Sequence, residues 1–213
     1  MTGFQIAAAI CAACTVGLLW GERRHDQRLK WIFKPLASAA FIAAAFAVGA
    51  HEHPFGITVL VGLGLSALGD ILLIPRSTGI PFLAGLGAFL LGHVAYSVAF
   101  AVRGIDWLAV AIAAVPLIVF GVVVHRWLSP DVPRLLQKPV VAYIVVICTM
   151  AALSVGTFAA AGDIREPIAA ALFVASDVSV GIDRFKKGGF GNRAWGVPMY
   201  FGAQLVFAAA AAV

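Results

Sequence analysis

The chain is 213 residues long, 62% hydrophobic and 12% charged, with a formal net charge of +5. Soluble domains average about 25% charged residues. A soluble fold of this length has too little interior to bury so much apolar surface, which leaves lipid as the solvent for most of the chain and no polar sequence for a separate water-soluble domain. Nucleic acid is excluded as a partner because the basic residues sit in short loops between apolar runs.

At about 20 residues per crossing, the length holds eight transmembrane helices in one all-α, polytopic domain, 1–213. Apolar runs bounded by Pro, Gly or charge place the spans near 3–20, 33–50, 55–74, 81–102, 106–127, 138–160, 165–182 and 194–212. The first run lacks the positive flank of a secretory signal and reads as a retained helix. Its Cys11 and Cys14, like Cys148 further on, have no basic neighbour to lower a thiol pKa and read as small apolar fillers. The first loop, Glu22-Arg23-Arg24-His25-Asp26-Gln27-Arg28-Leu29-Lys30, reads as a solvated basic loop. His51 and His53 in the second loop lack a third ligand nearby, so no metal is expected there. Small-residue spacings such as Gly62/Ser66 and Ala88/Gly92 predict close helix packing. The stretch Phe185-Lys186-Lys187-Gly188-Gly189-Phe190-Gly191-Asn192-Arg193 has neither a strand before it nor a Lys-Ser/Thr after it, and is expected to be a flexible basic connector rather than a phosphate cradle.

Thirteen of the fifteen Lys and Arg fall in the first, third, fifth and seventh loops; Arg103 and Arg165 are the two in the others. Basic residues stay on the cytoplasmic side, so both termini are expected outside, in a multi-pass protein of the bacterial inner membrane.

The two halves, 1–104 and 105–213, echo each other. Lys34-Pro35 opens the second span and Lys138-Pro139 the sixth, 104 positions later. His93 follows Asp70 by 23 positions, and Tyr200 follows Asp177 by the same interval. Arg76 and Arg184 close the third and seventh spans. The pattern predicts two copies of a four-helix unit in the same orientation, related by an axis along the membrane normal.

An ionised side chain in hydrocarbon is costly unless paired or wetted, so Asp70 and Asp177 are the leading candidates for chemistry. Each lies about five residues before the cytoplasmic end of its span, about 7 to 8 Å inside that boundary. Tyr143 and Tyr200 fall in the same layer, with Lys34 at its edge. His93, Tyr96 and Gln204 lie deeper, and the spacings 93/96 and 200/204 put each pair on one helix face. One cytoplasmic-side cavity lined by two carboxyls, phenols, an imidazole and an amide accounts for these positions. Two carboxyls in one poorly hydrated pocket suit acid–base work on an ether, or proton-coupled transport of a lipid-like solute. Residue types alone leave both open.

The elements Lys34-Pro35, Gly69-Asp70 with Leu72, Phe89-x-x-Gly92-His93-x-x-Tyr96, Leu172-Phe173-x-x-Ser176-Asp177 and Tyr200-x-x-x-Gln204 resemble, in order, the YhhN-type lysoplasmalogenase family. Ala170, Ala171 and Val180 depart from that pattern at packing positions. The resemblance implies a membrane-embedded hydrolase that cleaves the vinyl ether bond of a lysophospholipid, releasing a fatty aldehyde and glycerophospho-ethanolamine or -choline, with no metal or organic cofactor. It implies Asp70 and Asp177 as the acid and base, in an order left open. Tyr143, Tyr200, His93, Tyr96 and Gln204 would bind substrate and water, and Lys34 with its basic neighbours would hold the phosphate at the level of the membrane lipid headgroups.

Overall fold

A computed structural model describes residues 2–75 and 79–212; Arg76 lies outside the described residues. Among these the chain forms eight α-helices: α1 (Gly3–Arg24), α2 (Gln27–Ala47), α3 (Pro54–Leu72), α4 (Ile80–Arg103), α5 (Trp107–Leu128), α6 (Arg134–Ala161), α7 (Arg165–Phe185) and α8 (Phe190–Ala210). Six of them, α1 to α6, are long and apolar enough to cross a membrane. By that measure α7 and α8 fall short of the eight spans expected. The cause in α7 is visible in its sequence: Glu166, Ser176 and Ser179 are buried against other helices, so this helix faces protein more than lipid and has no need of an apolar surface all round.

Several helices run past the expected span ends. α2 begins at Gln27, not near residue 33, because Asp26 caps it by accepting from the amides of Arg28 and Leu29. The preceding chain reverses at His25, which holds a left-handed φ of 55°. Arg28 and Lys30 therefore ride on helix rather than loop, and Lys30 turns inward onto Glu22 at 2.9 Å. α8 likewise starts at Phe190. The expected flexible connector shrinks to 186–189 and is held at both ends: Lys186 pairs with Asp131, and just beyond it Asn192 of α8 donates to the Ser179 carbonyl while Ser179 donates to that of Asn192.

Consecutive helices pair as α1/α2, α3/α4, α5/α6 and α7/α8, and α4 on α6 and α2 on α8 join the pairs. Small residues set the close approaches. A Cβ on Gly62 would stand 2.5 Å from the ring of Tyr96, and that ring has nowhere to go. It is fully buried, stacked on Phe207 at 4.2 Å, and its hydroxyl is bonded to Gln204. Gly62→Ala is therefore expected to destabilise the protein by about 1 to 3 kcal/mol through overpacking. A lowered thermal midpoint in detergent checks it, and an unchanged midpoint refutes it.

The end of the bundle away from the basic loops is closed by ions. Arg103 bonds Glu166 (3.0 Å) and Asp163 (3.2 Å), and its guanidinium lies 4.8 Å over the Phe55 ring. Arg165 also grips Asp163, at 2.7 Å, and these hydrogen bonds hold the Asp163 carboxyl below the usual carboxylate range. Arg103 and Arg165 donate in addition to the carbonyls of Ala210 and Ala209. These are orphan acceptors at the end of α8. The network ties α3, α4, α7 and α8 together at that end.

Candidate active site

Near the basic end a cavity of about 380 Å³ opens between the helices, and Asp70 and Asp177 both line it, with Lys34, Tyr143 and Tyr200. Asp70 lies two residues before the end of α3 and Asp177 near the middle of α7, eight residues before its end, and each is held differently.

Asp70, on α3, is buried, with a side-chain exposure of 1%. One oxygen, Oδ2, accepts from Ser38 (2.6 Å) and from the Tyr200 hydroxyl (2.7 Å). The other, Oδ1, is 3.2 Å from the Lys34 ammonium, which also donates to the Asp70 carbonyl at 3.0 Å. Lys34 and Ser38 are four apart on α2 and thus share a face. Ser38 belongs to the site but was not singled out from sequence; that spacing from Lys34 was the available signal. A cation and two hydroxyls thus face this buried carboxylate.

Asp177, on α7, has no cation at comparable distance among the described residues. Its Oδ2 accepts from Tyr143 at 2.8 Å and lies 3.5 Å from His93 Nε2, too far for a good hydrogen bond. Among the described residues neither ring nitrogen of His93 makes a hydrogen bond of good geometry. The imidazole is held by rings instead, 4.5 Å from Phe173 and 5.3 Å from Tyr143, centroid to centroid. The pairings cross: Tyr200, 23 positions beyond Asp177, meets Asp70, and His93, 23 positions beyond Asp70, meets Asp177.

Three expected lining residues stand elsewhere. His93, Tyr96 and Gln204 are fully buried and do not line the cavity. Phe89 and Phe173, packed edge-on against Tyr200 at 5.7 and 5.4 Å, form an aromatic layer beneath the acids. Tyr96 donates to Gln204 at 2.6 Å below that layer. Spacing along a helix does not tell which groups face the open space, and here the Phe89 and Phe173 rings pack between neighbouring helices beside them.

The rim carries further charged side chains, Arg184 among them, and four of the others are joined by ion pairs. Glu22 pairs with Lys30 and with Arg193, each at 2.9 Å, and Arg193 with Asp183 at 2.8 Å. All four line the cavity. Lys30 is one helical turn before Lys34, which places both ammonium groups on the cavity side of α2. Among the described residues no three His, Cys, Asp or Glu side chains gather in a way that could hold a metal ion. His51 and His53 are exposed, with His51 3.9 Å from Glu52.

Fold and site together define an integral membrane protein of packed α-helices with a polar, acid-bearing chamber near one end. The sequence model of the YhhN family matches residues 29–211, and the chain belongs to that family. It is similar to the bovine (Bos taurus) protein named lysoplasmalogenase TMEM86A, 27% identical over 209 residues, which covers 94% of this chain and 85% of the bovine one. It is also similar to proteins named lysoplasmalogenase from Mycobacterium bovis and Mycobacterium tuberculosis, each 34% identical over 173 residues. Those alignments cover 78% of this chain and 64% of the mycobacterial proteins' length. No solved structure matches the chain.

Proposed function

We propose that this protein hydrolyses the vinyl ether bond of lysoplasmalogens, or of closely related lysolipids, within the membrane, yielding a fatty aldehyde and a glycerophospho-ethanolamine or -choline. The observation that carries the reading is the unequal pair of carboxyls on one cavity: Asp70 is matched by the Lys34 ammonium, whereas Asp177, among the described residues, meets a phenol and an imidazole and no Lys or Arg. A charge without a counter-ion is costly in this surrounding, so Asp177 is the group suited to arrive with a proton and Asp70 the one suited to remain a carboxylate.

The chemistry then runs as a cycle. Asp177 gives its proton to the vinyl carbon distal to the ether oxygen, leaving an oxocarbenium ion that the Asp70 carboxylate stabilises. Water adds to the carbon bearing oxygen and passes a proton to Asp70. The hemiacetal collapses as Asp70 returns that proton to the departing glycerol oxygen and the hemiacetal hydroxyl gives its own to Asp177. Both acids end as they began, and no cofactor enters. Tyr143 and Tyr200 orient water and the glycerol hydroxyl. His93 acts from behind as a positioning residue for Asp177 and Tyr143, and Tyr96 with Gln204 supports Tyr200 from the layer below. Lys34, Lys30 and Arg193 face the phosphate.

In this reading all eight helices cross the inner membrane of a bacterium, with both termini outside and the cavity mouth at the cytoplasmic headgroups. At 21 residues each, α7 and α8 are long enough to span at 1.5 Å per residue. The crossed pairing of the acids with Tyr200 and His93 supports a parallel repeat of α1–α4 and α5–α8. The alternative, a proton-coupled transporter, needs access from both sides, and the Arg103–Asp163–Arg165–Glu166 network at the far end argues against it.

Detergent-solubilised protein separates the two. An enzyme releases aldehyde from 1-alkenyl lysophospholipids without a sealed membrane. Folded protein that yields no aldehyde from ethanolamine or choline lysoplasmalogens overturns the proposal.

A further inference from the structure

Away from the acids the cavity is apolar, and that part has a direction. Phe120, Val124 and Leu128 of α5 line it, facing Phe82 and Leu86 of α4. Residues 120, 124 and 128 are each four apart, a single stripe about 12 Å long. On the other side of the same helix, Ile118, Val119 and Val122 are exposed by 51% or more, as a lipid-facing surface would be. α5 thus stands between bilayer and cavity and is apolar on both faces.

Its neighbours leave it loosely enclosed. α5 packs on α6 and touches α7 lightly, and among the described residues it makes no comparable approach to α4. In the proposed repeat, α1 and α8 are the counterparts of α5 and α4, and α1 does pack on α8. The seam that is closed in one half is therefore open in the other, at the place where both flanking helices line the cavity. Among the described residues side chains fill it at the basic end, where Phe82 packs with Leu128 and lies 6.3 Å from Phe185, edge to face.

We infer that the α4/α5 seam is a lateral portal for one hydrocarbon chain, and that the Phe120–Val124–Leu128 stripe is its seat. The chain slides in from the bilayer and lies along α5, with the carbons nearest the headgroup beside Asp177. Moving a tail from lipid into this arm exchanges one apolar surrounding for another, so burial supplies little selectivity. The arm's length and width decide instead which chains fit. The inference rests on the lysolipid reading for the identity of its ligand.

The test uses the full chain in nanodiscs and a hexadecyl ether lysophosphocholine bearing a terminal diazirine, which lacks a vinyl group to protonate. Label displaced by excess unlabelled ether lipid is expected on α4 and α5. Val124→Trp, with Val124→Phe as a milder filling of the same arm, is expected to reduce that displaceable label about tenfold. Ile118→Trp, on the lipid face, leaves it unchanged. With hydrolysable substrates, Val124→Trp slows hexadecenyl turnover by a similar factor and spares a hexenyl analogue. Displaceable label on α1 or α2, equal effects of the two Trp variants, or equal loss for long and short chains overturns the portal. Label on α4/α5 without any vinyl ether cleavage leaves the portal standing and removes the hydrolase reading; cleavage with label elsewhere does the reverse.

Discussion

Asp177→Asn is expected to lower aldehyde release by about two to four orders of magnitude, the range over which a positioned general acid contributes. An amide fits the space of the carboxylate and can still accept from Tyr143, the one hydrogen bond the side chain makes at good length (2.8 Å). What it lacks is an acidic proton for the vinyl carbon. Among the described residues no ion pair with Lys or Arg is broken at this position, so the thermal midpoint in detergent should match that of the parent protein. Measuring both quantities on one preparation isolates the chemistry. Retention of full activity by a folded Asp177→Asn protein ends the assignment of Asp177 as the acid.

Asp70→Asn should be as damaging to turnover, with a different signature in stability. The substitution removes the counter-charge of Lys34 and weakens the bonds from Ser38 and Tyr200. Leaving one member of a buried ion pair alone typically costs about 3 to 5 kcal/mol. Here the Lys34 side chain is 20% exposed at the cavity edge, so its ammonium can turn toward water and the cost should fall well below that range. The expected result is a modest fall in the thermal midpoint and loss of aldehyde release. Lys34→Gln supplies the complementary case: Asp70 then has no cation, and turnover should fall through the carboxylate's lost compensation. Full activity in Asp70→Asn would leave Asp177 to act with water alone and would remove Asp70 from the mechanism.

Much of the molecule could be read along the chain, for local reasons. Helices in lipid must satisfy their own backbone, so apolar runs and the Gly, Pro and charged breaks between them locate eight helical segments. Asp70 and Asp177 draw notice because acids are rare in such runs. Helix ends were read less well. Asp26 is a strong N-cap, yet the density of charge around it suggested loop, and α2 begins about two turns earlier than composition indicated. Glu22, Lys30, Asp183 and Arg193 lie as much as 171 positions apart, and nothing in their local spacing announces that they meet at one rim.

The sequence by itself determined that lipid is the solvent, that the described residues form helices, and that two acids lie within apolar runs, because these follow from composition and from the pattern of apolar runs and breaks. Tertiary structure alone decided that Asp70 meets a cation and two hydroxyls while Asp177 meets a phenol and an imidazole. It also decided that Tyr96 and Gln204 bond to each other outside the cavity lining, and that α5 stands away from α4. Each of these depends on how helices from distant parts of the chain are rotated and paired, and a rotation of one helix changes which side chains touch without altering any spacing along it.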